Sequence, residues 1–264
     1  MLDRSWRLFG TALCFAVFGV SAALVSVLCA LLLVLPRRVR QRPARALVRV
    51  SFRAFLRLMA LVRVFDFDFD REGLARLGIP GRRVIVANHP TLLDAMVLLA
   101  YVKQASCVVK SSVWRNPFLG AAVRATNYVP NGDLTQLLRD SDATLARLEP
   151  LIVFPEATRS VAGEPLHLQR GAATIALESD ADVAIVHFRC EPLLLAKGDA
   201  WYRVPDRRPC LAVRVGASLR AREYLRAGAG RSVAARHLTQ ALQQELGGSP
   251  SDARAGAGAE TAAH

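Results

Sequence analysis

Two short apolar runs limit what this chain can fold into. Val84-Ile85-Val86-Ala87 and Leu151-Ile152-Val153-Phe154 are uncharged and rich in β-branched side chains. Such runs suit strands covered on both faces, as in a parallel sheet. Each ends in polar chemistry, Asn88-His89-Pro90 after the first and Pro155-Glu156 after the second. Further strands are predicted over 65–70, 107–109, near 128, 183–188 and 211–215. Helices are predicted over 92–102, 117–125, 134–148, 171–178 and 233–246, with 73–81 as a short connection. This alternation implies an α/β domain over residues 64–246, a mostly parallel central sheet flanked by helices. In open sheets of this kind ligands bind beyond the carboxyl ends of the strands, where both polar constellations fall.

The first constellation is a candidate acid–base pair. Pro90 is compatible with a first helical position and biases His89 to extended backbone, so His89 reads as a helix N-cap. Asp94 lies five residues on, in the first or second turn, from where its carboxylate reaches back to the imidazole. A His with an orienting carboxylate is a general base whose cation is stabilised once it takes a proton. A capping His beside a solvated Asp is the competing reading. The second constellation, Phe154-Pro155-Glu156-Ala157-Thr158-Arg159-Ser160, offers a carboxylate, hydroxyls and a guanidinium; Arg suits bidentate capture of phosphate. Read alone, it is also compatible with a turn carrying a surface ion pair.

The N-terminal third has a different character. No charged residue occurs from Leu8 to Leu35, a helix of about 42 Å against the roughly 30 Å of a bilayer core. Arg4 and Arg7 precede it, whereas Arg37, Arg38, Arg40, Arg42 and Arg45 follow. That asymmetry puts the following domain on the cytoplasmic side of the inner membrane. A single span and a hairpin both remain open, and a cleaved signal peptide is disfavoured by the length of the run. Arg45, Arg49, Arg53 and Arg57 recur every four residues, as a basic stripe on a helix lying in an anionic membrane interface. An ordinary solvated helix face is the alternative. Residues 1–63 are thus expected to form a membrane-anchoring helix and a basic interfacial helix, and 247–264, rich in Gly, Ala and Ser, a disordered tail.

The chain has 264 residues, 52% of them hydrophobic, and 35 basic against 22 acidic side chains, a formal charge of +13. Because the basic residues beside the apolar run carry no nucleic-acid-binding motif, the charge favours an anionic membrane surface over nucleic acid. The five cysteines show no metal-ligand spacing and read as small buried hydrophobes.

Taken together, N-H-P-T-L-L-D and F-P-E-A-T-R-S, some sixty residues apart behind a hydrophobic N-terminus, resemble the glycerolipid acyltransferase family, whose signatures are N-H-x-x-x-x-D and F-P-E-G-T-R-S. The resemblance covers roughly residues 65–220. It extends to Lys110 with Trp114–Gly120 and to Gln169-Arg170-Gly171. It implies transfer of a fatty acyl group from acyl-CoA or acyl-carrier protein to a lysophospholipid hydroxyl, with His89 and Asp94 catalytic and no metal or cofactor. Lys110, Glu156, Thr158 and Arg159 are implied in substrate binding. Two departures stand out: Ala157 replaces the usual Gly, and Asn127–Asp133 lacks the Arg that ends the family's middle motif. The second departure allows a specialised acyl chain, such as a polyene or polyketide product on a carrier protein, to be loaded onto another lipid acceptor; a non-catalytic membrane-anchored lipid-binding protein is a separate alternative.

Overall fold

The computed structural model describes residues 2–156, 166–195, 200, 202–225 and 230–248. In chain order the elements are α1 (Leu2–Leu32), α2 (Arg37–Leu61), β1 (Asp66–Phe69), α3 (Arg71–Leu77), β2 (Arg83–Ala87), α4 (Asp94–Tyr101), β3 (Ser106–Lys110), α5 (Ser111–Trp114) and α6 (Gly120–Thr126). There follow β4 (Val129–Asn131), α7 (Leu134–Leu145), β5 (Leu151–Val153), α8 (Gly171–Glu178), β6 (Asp182–Glu191), β7 (Cys210–Arg220), α9 (Ala221–Leu225) and α10 (Arg231–Gly247). The seven strands form one sheet in the order β1-β7-β6-β2-β5-β3-β4. Every pairing is parallel except β6 with β7.

The two apolar runs occupy the middle of this sheet, β2 between β6 and β5, because neither has a polar face. Alternate side chains serve two cores. Ile85, Ala87 and Ile152 pack with α2 and α4, while Val84, Leu151 and Val153 pack with α7, α8 and α10. Each fully buried Ile, Leu or Val contributes about 1.5–3 kcal/mol.

One predicted connection is instead a helix. Asp70 caps α3 by accepting from the Gly73 N–H at 2.9 Å, and Leu74 and Leu77, three apart, are buried. Seven residues are too few to display a periodicity in sequence.

The N-terminal helices α1 and α2 pack into the sheet domain's core: Cys14, Phe55, Leu56 and Met59 share one cluster with Ile85, Leu98 and Val213. Arg4–Leu32 is long and apolar enough to cross a membrane, yet α1 is tied to the domain along its length. Trp6 Nε1 donates to the Val62 carbonyl at 3.0 Å, the buried Arg7 donates to the Asp206 carbonyl at 2.7 Å, and Ser26 Oγ bonds the Phe118 carbonyl. The side turned away from the domain exposes Phe9, Leu13, Val20, Leu24, Val27 and Leu31.

The basic stripe of α2 is likewise divided. Arg45 is buried, donating to the carbonyls of Thr126 at 3.0 Å and Gln104 at 2.8 Å and pairing with Glu149 at 3.1 Å. Arg53 donates to the Ala100 carbonyl at 2.7 Å and lies over the Tyr101 ring. These two staple α2 to the sheet domain instead of facing solvent or lipid; Arg57 is exposed.

Candidate active site

The register of β2 on β5 builds the site. Val84 stands opposite Leu151 and Val86 opposite Val153, an offset of 67 residues (151 − 84 and 153 − 86). The same offset carries past the strand ends and puts His89 opposite Glu156. There the His89 backbone N–H donates to Glu156 Oε1 at 2.9 Å. On the other flank, Asn88 grips β6 twice: Nδ2 donates to the Phe188 carbonyl at 2.8 Å and Oδ1 accepts from the Phe188 N–H at 2.7 Å. The loop after β2 is thereby held from both neighbouring strands.

His89 is not a helix cap. Helix α4 begins at Asp94, after a loop pinned by Asn88 and by the Leu92 N–H donating to the Leu195 carbonyl at 3.2 Å. Asp94 sits in the first turn and reaches back, with Oδ2 2.9 Å from His89 Nδ1. The same oxygen accepts from the Thr91 N–H at 2.7 Å, and Oδ1 accepts from Thr91 Oγ1 at 2.6 Å. Thr91 Oγ1 in turn accepts from the Leu93 N–H at 3.1 Å, so its own hydrogen goes to the carboxylate. Both Asp94 oxygens are therefore acceptors, which makes His89 Nδ1 the donor and leaves Nε2 free to accept a proton. Asp94 is fully buried, and burial pushes its carboxyl above the ordinary carboxylate range, against the pull of the His89 and Thr91 hydrogen bonds. The imidazole keeps a 20% exposed side chain and stacks on Phe154 with ring centroids 4.3 Å apart.

The structure thus joins His89, Asp94 and Glu156. Lys110 ends β3 with an exposed side chain, at the same sheet edge, paired in register with Asn131 of β4. Thr158 and Arg159 lie outside the described residues. Arg124 donates to the Trp114 carbonyl at 2.8 Å, which commits it to the turn before α6. Sequence reasoning gave no role to Asn88, Thr91 or Phe154. All three stand inside the motifs that drew attention to His89 and Glu156, and their closeness to those residues was the available signal.

Two cavities lie on the face of the sheet away from α1 and α2, and the smaller reaches Phe154 of the site. A narrow one of about 40 Å³ is lined by Phe154, Pro155, Asn131 and Gln169. A larger one of about 550 Å³ shares Asn131 and Gln169 and reaches Arg170, Glu178 and Arg231.

The fold and the site thus define an α/β domain with an imidazole braced by a buried acid at the carboxyl edge of a mostly parallel sheet. Residues 71–190 match the model of the family described as Acyltransferase. The 1-acyl-sn-glycerol-3-phosphate acyltransferase of Helicobacter pylori is 34% identical over 119 residues, 42% of this chain and 50% of that protein. The chloroplastic 1-acyl-sn-glycerol-3-phosphate acyltransferase LPAT1 of Arabidopsis thaliana is 28% identical over 143 residues, 51% of this chain and 40% of that protein. The matches thus span half or less of each curated relative. The crystal structure of the LPA acyltransferase PlsC from Thermotoga maritima shares the fold, with a TM-score of 0.65 at 18% identity over 91% of this chain and 94% of that one. Over residues 71–190 the chain is thus similar to the family described as Acyltransferase and to these curated relatives.

Proposed function

We propose that this protein is a membrane-associated O-acyltransferase that moves a fatty acyl group from a thioester, acyl-CoA or acyl-carrier protein, to a lysophospholipid hydroxyl, as on 1-acylglycerol-3-phosphate. The observation that carries this reading is the convergence of the His89–Asp94 pair with Glu156 at one sheet edge. In the reaction, His89 Nε2 takes the proton of the acceptor hydroxyl as its oxygen attacks the thioester carbonyl. The tetrahedral intermediate expels the thiolate, which leaves with the proton carried by His89. Asp94 holds the imidazole and stabilises its cation. Glu156, Thr158 and Arg159 position the acceptor, and Lys110 or backbone N–H groups face the developing oxyanion.

The exposed apolar side of α1 supports lateral attachment to a membrane. In this reading the helix, tied to the domain at Trp6, Arg7 and Ser26 by contacts spread over about 30 Å, rests its exposed apolar side on the membrane. Loops at the catalytic edge expose Leu92, Phe118, Leu119 and Leu193, which suits a lipid acceptor arriving from the same surface. Attachment at the cytoplasmic face of the inner membrane meets a water-soluble thioester. The larger cavity beside Arg170 is suited to that donor's phosphate-bearing end.

A second reading concerns the acceptor. Asn131 stands beside Lys110, the segment 127–133 lacks an Arg, and Arg124 is engaged by Trp114. This favours an acceptor recognised through fewer guanidinium contacts than lysophosphatidate. The test is a thiol-release assay with a panel of acyl-CoAs, acyl-carrier proteins and lysolipids. Wild type is expected to turn over at least one donor–acceptor pair, and His89→Ala none, with its fold kept. Near-wild-type turnover by His89→Ala rules out the base assignment.

A further inference from the structure

We propose that the cavity at the turn between α1 and α2 is a second anion site, taking the phosphate headgroup of an anionic phospholipid away from the catalytic edge. The cavity, about 590 Å³, is lined by Arg37, Arg38, Gln41, Arg42, Arg147 and Glu149. Its one acid is already engaged, since Glu149 accepts from Gln41 at 3.0 Å and pairs with Arg45 and with Arg147 at 3.1 Å. Arg37, Arg38 and Arg42 have no hydrogen bond or ion pair among the described residues.

These three cations stand at the wrong end of a helix. They occupy the first two turns of the 25-residue α2, whose N-cap, Pro36, supplies no side-chain acceptor and whose first turn holds no acid. Cations there are repelled by the helix dipole, and the N–H groups of Arg37 and Arg38 have no partner among the described residues, whereas those of Val39 and Arg40 donate to the Pro36 carbonyl. Desolvation by burial and the like charge of Arg147 hold Arg37 below the usual guanidinium range, against the pull of Asp140. A bound phosphate relieves the charge repulsion and supplies the missing acceptors.

The site is separate from the catalytic one. Glu149 precedes β5 and Glu156 follows it, so the two lie beyond opposite ends of that strand, at most about 20 Å of chain apart. Its surroundings point to a lipid rather than a soluble phosphate. Val34, Leu35 and Val39 beside the turn are exposed, Val34 at 87%, and they continue the bare side of α1. A headgroup held by the arginines can lay its acyl chains along that surface, whereas a free phosphate makes no use of it.

The experiment compares full-length protein partitioning onto vesicles of phosphatidylcholine alone and with about one third phosphatidylglycerol. Each arginine beside an anionic surface contributes about five-fold, so Arg38→Gln/Arg42→Gln should lower the preference for anionic vesicles on the order of 30-fold. Arg222→Gln/Arg236→Gln removes the same charge from exposed positions on other elements and should leave most of the preference intact. Equal losses in the two variants, or none in the first, overturn the proposal. A soluble arm decides the source. Inorganic phosphate in detergent should not raise the wild-type melting temperature above that of Arg38→Gln/Arg42→Gln; a rise confined to wild type would assign the cavity to a soluble anion instead.

Discussion

Asp94→Asn should slow catalysis without loosening the fold, and the geometry gives the size of the effect. Oδ2 accepts from both His89 Nδ1 and the Thr91 N–H, at 2.9 and 2.7 Å, while Oδ1 meets only Thr91 Oγ1. An amide with its oxygen at the Oδ2 position keeps the first two bonds, and its nitrogen donates to Thr91 Oγ1. The tautomer survives, and what is lost is the negative charge facing the imidazolium. At a charge separation of about 4 Å and an effective dielectric constant near 20, that charge is worth about 4 kcal/mol, or on the order of 10³ in kcat/KM. Stability should move the other way. Burial raises the Asp94 carboxyl in the folded state, so stability is highest with the group protonated, below its unfolded value near pH 4, and is lost as pH rises through the folded value. The amide escapes that loss. Its unfolding midpoint should match or exceed wild type at neutral pH, with the gap opening from about pH 4 upward. Thiol release and thermal unfolding across pH read both quantities. A loss of activity under about tenfold refutes the assignment of Asp94 as a charged partner of His89, and a destabilised variant at neutral pH refutes the reading that burial outweighs its hydrogen bonds.

Three other perturbations probe the supports around the site. Thr91→Val removes the hydroxyl between Leu93 N–H and Asp94 Oδ1; denaturant unfolding should show a loss of about 1–3 kcal/mol, with activity falling alongside. Arg45→Ala strips donors from two buried carbonyls and a partner from Glu149, at a cost of about 3–5 kcal/mol, measurable as a lower melting temperature. Burial pushes the Cys107 thiol up to about 12. The native thiol should resist alkylation near pH 8 and react once unfolded, and the stability it confers should be full below its unfolded value near pH 9 and decline from there toward pH 12.

The sequence alone determined the elements whose signal is local. Val84–Ala87 and Leu151–Val153 are strands because runs of branched apolar residues have nowhere to go but between two cores. His89, Asp94 and Glu156 were marked by residue type and spacing at the ends of those runs. The presence of α1 was marked by 28 consecutive uncharged residues, although the helix starts before that run, at Leu2, and ends within it, at Leu32. What the tertiary structure decided is every relation between segments distant in the chain. No local pattern encodes the 67-residue register that sets His89 against Glu156, or the grip of Asn88 on Phe188. The start of α4 moved from Pro90 to Asp94 because side chains and the Leu195 carbonyl, 100 residues away in places, hold the intervening loop open. Arg45 looks identical to Arg57 in a sequence repeat, yet one is buried against carbonyls from the end of α6 and from the loop before β3 and the other faces out. Periodicity places a side chain on a face of its own helix; only packing determines what lies opposite that face.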